Sequence, residues 1–289
     1  MTKKTDATIE SVLNGMTPES RKDFTEGLVF IDESAVNPIP RVSMKYPILK
    51  QALTQLEGAE KVPNGAMLLF DDNKMTHAFE EGLVGIVVDQ HKERALINEE
   101  SKIPECVSYN TIEGSRHGVC RNCDNSQWKD NVAPDCSLYL VYHVLMVVDG
   151  KIELGRIKAA KTSYANMNGI WLSLAKNVKG KFHDHTVVFN GKQQTSMKDG
   201  KKFTYHVLNA IAGEPVDLTP ESKQFILDVK NTLKVFSSEK MHALQLITVD
   251  PSMIDVPASY ATARQIENKN APAIDVQTSA PAGKKDIEV

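Results

Sequence analysis

The sequence predicts an α+β fold, mainly β with a few helices, and three observations predict it. Short apolar, β-branched runs recur between residues 66 and 208, several ended by turn signals such as Asp-Gly or Asn-Gly. Two segments, 163–177 and 219–236, carry apolar residues at helical spacing instead. All four cysteines fall within 31 residues, in the pattern C-x13-C-x2-C-x12-C, inside one polar loop between strands.

Taken in order, residues 1–63 form a weakly patterned extension. A short helix is expected over 7–13. Proline breaks regular structure at 37–40, and a second helix is expected over 47–56, with Pro47 in its first turn. Strand patterns then occupy 66–70, 82–88 and 94–97, the first closed by Asp71-Asp72-Asn73. The cysteine loop follows. After it, 138–148 is a long strand that ends at Asp149-Gly150, and 151–161 is its hairpin partner, with Gly155 as a bulge. Ser163 can cap a helix that puts Met167, Ile170, Trp171 and Leu174 on one face. Strands at 186–189 and 203–208 come next, joined through Asn190-Gly191 and Asp199-Gly200. Thr219-Pro220-Glu221 then opens a helix with Phe225, Ile226, Val229, Leu233 and Phe236 on its apolar face. Five or six strands with a helix between the third and fourth is the order of an OB-fold-like barrel, here with a loop inserted. The core domain spans 64–237, a C-terminal extension 238–268, and a disordered tail rich in Ala, Pro and Ser 269–289.

Hydrophobic content of 41% and charged content of 25% are ordinary for a globular chain. No apolar run approaches the roughly 20 residues that cross a bilayer, and the polar start at Met1–Asp6 has no apolar stretch behind it, so no secretory signal and a cytoplasmic protein are expected. The net charge of −3 hides an asymmetry. Residues 151–206 hold eleven bases against three acids, while residues 1–150 hold 15 bases against 23 acids. A basic block inside an acidic chain points to a polyanion-facing surface. Lysines on an exposed sheet edge are the plainer alternative.

Reduced thiols clustered in this way are best explained by one tetrahedral zinc. Cys120 and Cys123 supply a tight turn, and Cys106 and Cys136 come from the loop's two flanks. Four thiolates close the shell, so the metal is expected to be structural, with His117 as a fallback ligand. Enzyme signatures are missing. There is no phosphate loop and no Gly-x-Ser-x-Gly, and the His-x-Glu that a deaminase pairs with its cysteines is absent. His183-Asp184-His185 is a weak metal pair that reads mostly as surface polarity. The chain is not expected to be an enzyme.

Single-stranded nucleic acid is held by basic grooves with aromatic platforms. The basic block offers Arg156, Lys158, Lys161, Lys179, Lys181, Lys201 and Lys202. The aromatic candidates are Tyr139, Phe203, Tyr205 and Trp128. Strand alternation puts Phe203 and Tyr205 on one face and Arg156 and Lys158 on one face, with Lys161 of opposite parity. Each aromatic has a plain alternative as a core residue. Trp128, inside the polar loop, either packs over the thiolates or stands exposed.

The run at 120–128, Cys-Arg-Asn-Cys-Asp-Asn-Ser-Gln-Trp, with Pro134-Asp135-Cys136 after it, resembles a zinc-containing segment of many bacteriophage early proteins. Cys106, Cys120, Cys123, Trp128 and Cys136 match that order, and the likeness extends over about residues 64–236. Asp124 stands where that family commonly has proline. The resemblance implies one zinc ion and, as in several such proteins, single-stranded-DNA binding in replication or recombination. It implies no individual DNA contact. The rival expectation is a zinc-stabilised interaction module, a subunit or regulator of a phage replication or transcription complex. The acidic-hydrophobic tip Asp286-Ile287-Glu288-Val289 is similar to the partner-recruiting ends of bacterial single-strand-binding proteins, although Lys284-Lys285 dilutes its charge.

Overall fold

The computed structural model describes residues 8–29, 39–45, 61–71, 74–98, 104–129, 132–179, 182–198 and 200–246. They form a mixed α+β fold, dominated by one strongly curled half-barrel sheet with four helices. Central to it are β4 (Leu83–Ile97), β8 (Cys136–Val148) and β9 (Lys151–Ala160), an antiparallel trio. On one side β4 pairs with β10 (His185–Lys198), which pairs with β11 (Lys201–Pro215). On the other side β9 takes β1 (Arg41–Met44) in parallel, followed by β2 (Met67–Asp71) and β3 (Lys74–Phe79). The cysteine segment adds β5 (Pro104–Ser108), paired to the end of β4, and a small ribbon of β6 (Glu113–Gly114) and β7 (Gly118–Val119).

Helices cover both faces. α3 (Lys161–Asn177) packs Met167 and Leu174 against Leu140, Tyr142, Val144, Ile157 and Phe189. On the opposite face, α1 (Ile9–Gly15), α2 (Pro18–Val29) and α4 (Pro220–Leu246) bury Leu13, Phe225, Ile226 and Val229 with Ile86, Val88, Leu145 and Leu154. Alternation along β4 and β8 feeds these two cores from the same strands.

Most expected elements are present, and the differences have physical causes. The long strand at 138–148 turns at Asp149 (φ 50°) and Gly150 (φ 78°), the left-handed pair that a two-residue hairpin wants. Pro220 opens α4, with Thr219 Oγ1 accepting from the Ser222 N–H at 3.2 Å. Ser163 does not cap α3: the helix begins two residues earlier, and the Ser163 hydroxyl accepts from the Leu208 N–H at 3.2 Å. Asn190-Gly191 is not a turn but lies inside β10, where Gly191 donates its N–H to the Gly65 carbonyl at 2.8 Å. The strands expected at 82–88 and 94–97 are one strand, β4, continued through the charged run Asp89–Glu93. A bulge makes this possible. Val87 pairs with Val144 and Asp89 with His143, leaving Val88 as the extra residue. The helix expected at 47–56, the Asp72-Asn73 turn and the tail at 269–289 lie outside the described residues.

Candidate functional site

Three features of the sheet carry chemistry. The first is the cysteine loop. Leu96 on β4 pairs with Cys106 on one side and with Cys136 on the other, so all three share a face and pack together. Cys120 opens the first of two successive 3-10 turns, Cys120–Asn122 and Asp124–Ser126, and Cys123 is the extended residue that joins them. The Cys123 N–H donates to the Cys120 carbonyl at 3.3 Å, and the Ser126 N–H to the Cys123 carbonyl at 2.9 Å. All four thiols line one cavity of about 10 Å³, room for a single water-sized body. Gly114 roofs it, and a side chain there would come within 2.7 Å of Cys106 Sγ. His117 lines the same cavity, with its Nε2 3.6 Å from Glu105 Oε1. Burial pushes the Cys136 thiol up to about 11, with the Arg94 guanidinium pulling the other way. A cation in the cavity would offset that burial. The donor set therefore suits a soft, tetrahedral metal, whose thiolates would close to roughly 3.8 Å of one another.

The second feature was not foreseen. Beyond the bulge, Asp89, His91 and Glu93 share one face of β4. His143 lies opposite Asp89, and Arg156 lies opposite His143 in the next strand. His91 bridges two carboxylates, with Nδ1 2.9 Å from Asp89 Oδ2 and Nε2 3.0 Å from Glu93 Oε1. Glu93 also takes the Arg156 guanidinium on Oε1 and Lys158 Nζ on Oε2 at 2.8 Å. The two imidazoles stack at 5.4 Å between centroids. Glu93, His143 and Arg156 are buried. Burial alone would raise the Glu93 carboxyl, but the Lys158 and Arg156 charges hold it well below the usual range. Burial would also raise Asp89, and His143 and His91 hold it down. His91 is raised against its own burial by the same two carboxylates, whereas burial carries His143 down to about 4. Burial takes Tyr109, beside Arg156 and Glu93, up to about 12.

The third feature is the β10–β11 hairpin. β10 pairs with β4 only over Val187–Phe189, yet with β11 as far as Lys198 and Lys201. Its distal half thus projects past β4. Register puts Lys201, Phe203, Tyr205 and Val207 on one face, with Lys192 opposite Val207. The Phe203 and Tyr205 rings stack at 5.7 Å between centroids and are half-buried. Lys192, Lys201 and Lys202 are exposed and have no ion-pair partner among the described residues.

The expected nucleic-acid residues are thus dispersed. Phe203, Tyr205 and Lys201 come together on one face, with Lys202 beside them on the other. Arg156 and Lys158 do share a face, but Arg156 is buried and bonded to Glu93. Lys158 is bonded to Glu93 too and lies over the Tyr139 ring at 5.3 Å. Lys179 is exposed beyond the end of α3, with φ 51°. Lys161 opens α3 but its side chain, like all of Lys181, lies outside the described residues. Trp128 is 69% exposed and does not pack over the thiolates. His183 donates its Nδ1–H to the Val87 carbonyl at 3.1 Å and is not one of the Asp89 group. No helix among the described residues is long and apolar enough to cross a membrane. Compared with family models, curated proteins and solved structures, the chain finds no match.

Proposed function

We propose that this chain is a sequence-independent single-stranded-DNA-binding protein of replication or recombination, of bacteriophage type, with no catalytic role and with one structural zinc on Cys106, Cys120, Cys123 and Cys136. The observation that carries the reading is the projecting hairpin, where a stacked aromatic pair lies on the same face as Lys201 and Lys192. Base stacking contributes roughly 1–3 kcal/mol per base, and each lysine that meets a phosphate adds a salt-dependent share. Lys202 and Lys179 would extend the basic surface. Arg156, Lys158 and Tyr139 fall out of it, because Glu93 engages both cations and Lys158 covers the ring.

An OB-like scaffold is part of the proposal. The path β11–β10–β4–β8–β9, with α3 between β9 and β10, supports it. An OB-like barrel would use its strands in this succession, with β9 taking β1 where the ring would close. Fluorescence anisotropy with oligo-dT at two salt concentrations tests the reading. Binding that weakens steeply with salt is expected. No binding at low salt, or binding indifferent to salt, overturns it.

One observation favours the second reading, a zinc-stabilised protein-interaction module. Ile112, Val119, Trp128 and Val132 are all exposed apolar residues on the cysteine loop. Exposed apolar patches mark interaction sites. Trp128→Phe leaves one other tryptophan, Trp171. If oligo-dT quenches the wild type and the variant equally, Trp128 does not stack on bases and the loop is free for a protein partner.

A further inference from the structure

We propose that Asp89, His91 and His143 bind one divalent first-row transition-metal ion, at a centre separate from the cysteines. Among the described residues, this is the group of three ligating side chains whose donor atoms lie within 4.8 Å of one another. Asp89 Oδ2 is 2.9 Å from His91 Nδ1 and 3.8 Å from His143 Nδ1. Donors bound to one ion at about 2.1 Å stand roughly 3 to 4 Å apart, so the spacing needs little adjustment.

His143 supplies an independent sign. Its ring is buried, and its Nδ1 has no hydrogen-bond partner, since 3.8 Å to Asp89 is too long. Burying a polar nitrogen without a partner is unfavourable, and a metal in line with Asp89 would satisfy it. Next to the donors, the far nitrogen of His91 meets a carboxylate, Glu93, at 3.0 Å. Metal-bound histidines almost always have such an outer partner, which fixes ring orientation and raises donor strength. Arg156 and Lys158 do not repel a cation unopposed, because both are bonded to Glu93. Asp89 remains as the anionic donor.

Two imidazoles and one carboxylate suit the later first-row metals better than calcium or magnesium, which prefer all-oxygen shells. The Asp89 and His91 side chains are 18% and 21% exposed, so solvent reaches the site from one side. Three protein donors leave further positions open to water or to a ligand.

Metal stoichiometry tests this on the full chain. Metal content as purified is measured, and Co2+ is then titrated in. The wild type is expected to hold one equivalent more than His143→Gln or Asp89→Asn. That equivalent shows the weak visible bands of nitrogen and oxygen ligation, without sulfur-to-cobalt charge transfer. The variants lose affinity by more than the roughly 10–100-fold that removal of an outer partner costs. Equal stoichiometry in wild type and folded variants overturns the proposal. Should a variant not fold, Zn2+ added to the unaltered chain decides. Ring 15N resonances of two of its eight histidines should move, and none moving overturns the site. Loss of the sulfur-type metal alone would bear on the cysteine reading and leave this one intact.

Discussion

At the residue scale Glu93 does the most. It is 2% exposed and holds Arg156, Lys158 and His91 at once. Removing one partner of a buried ion pair leaves the others uncompensated, typically at about 3–5 kcal/mol. Glu93→Gln is therefore expected to lower unfolding free energy by about that amount, read from urea melts. A change under about 1 kcal/mol would show the network to be solvated. In the sequence, Asp89, His91, Glu93, His143 and Arg156 look unrelated, because pairing across three strands unites them and spacing does not. The alternating acid-His-acid of 89–93 is the one local signal. The grouping of the four cysteines around one cavity was legible, because they fall so close together in the chain. Phe203 and Tyr205 were legible because they lie two apart on one strand.

At the scale of elements, the hairpin of β10 and β11 depends on a glycine contact. Gly191 and Gly65 approach so closely that a Cβ at 191 would stand 2.4 Å from Gly65 Cα and 2.7 Å from Met44 Sδ. Backbone cannot yield as a side-chain tip can. Gly191→Ala is expected to destabilise by about 1–3 kcal/mol, measured by thermal or urea unfolding. In isolation the pair Asn190-Gly191 is a hairpin signal. Here glycine serves proximity, and the true turn lies at Gly200, φ 74°. Further along the same hairpin, Lys201→Ala with Lys202→Ala should weaken oligo-dT binding and flatten its salt slope by up to about two units. An unchanged slope would remove the hairpin from the interface.

At the scale of the molecule, the cysteine loop stands apart from both large cores. Its own cluster is Leu96, Cys106 and Cys136, whereas α3 and the α1–α2–α4 layer are served by other residues. Cys120→Ser is therefore expected to release the loop while the sheet persists. Limited proteolysis should then cut between 108 and 136, with the far-UV circular dichroism largely kept. Collapse of the whole spectrum would mean that the loop governs the fold. The mainly β, α+β class was legible from alternation and turns. The short strands β1, between β9 and β2, and β3, at the sheet edge, were not, because four to six residues beside prolines or polar residues give too little pattern. Nor was α2, a largely polar helix whose Phe24 and Leu28 are the residues that meet the core.

The bulge at Val88 has a consequence for chain length. Val87 and Asp89 already face consecutive residues of β8, Val144 and His143. Deleting Val88 would leave both flanks aligned and turn β4 into a regular strand, at the loss of one buried valine. Deleting any residue between Gln90 and Ala95 would instead slide the flanking segments out of step and turn one set of side chains to the wrong face. The middle of this strand should thus tolerate shortening at a single point, and an indel scan read by soluble expression would show one gap-tolerant position in an otherwise intolerant stretch.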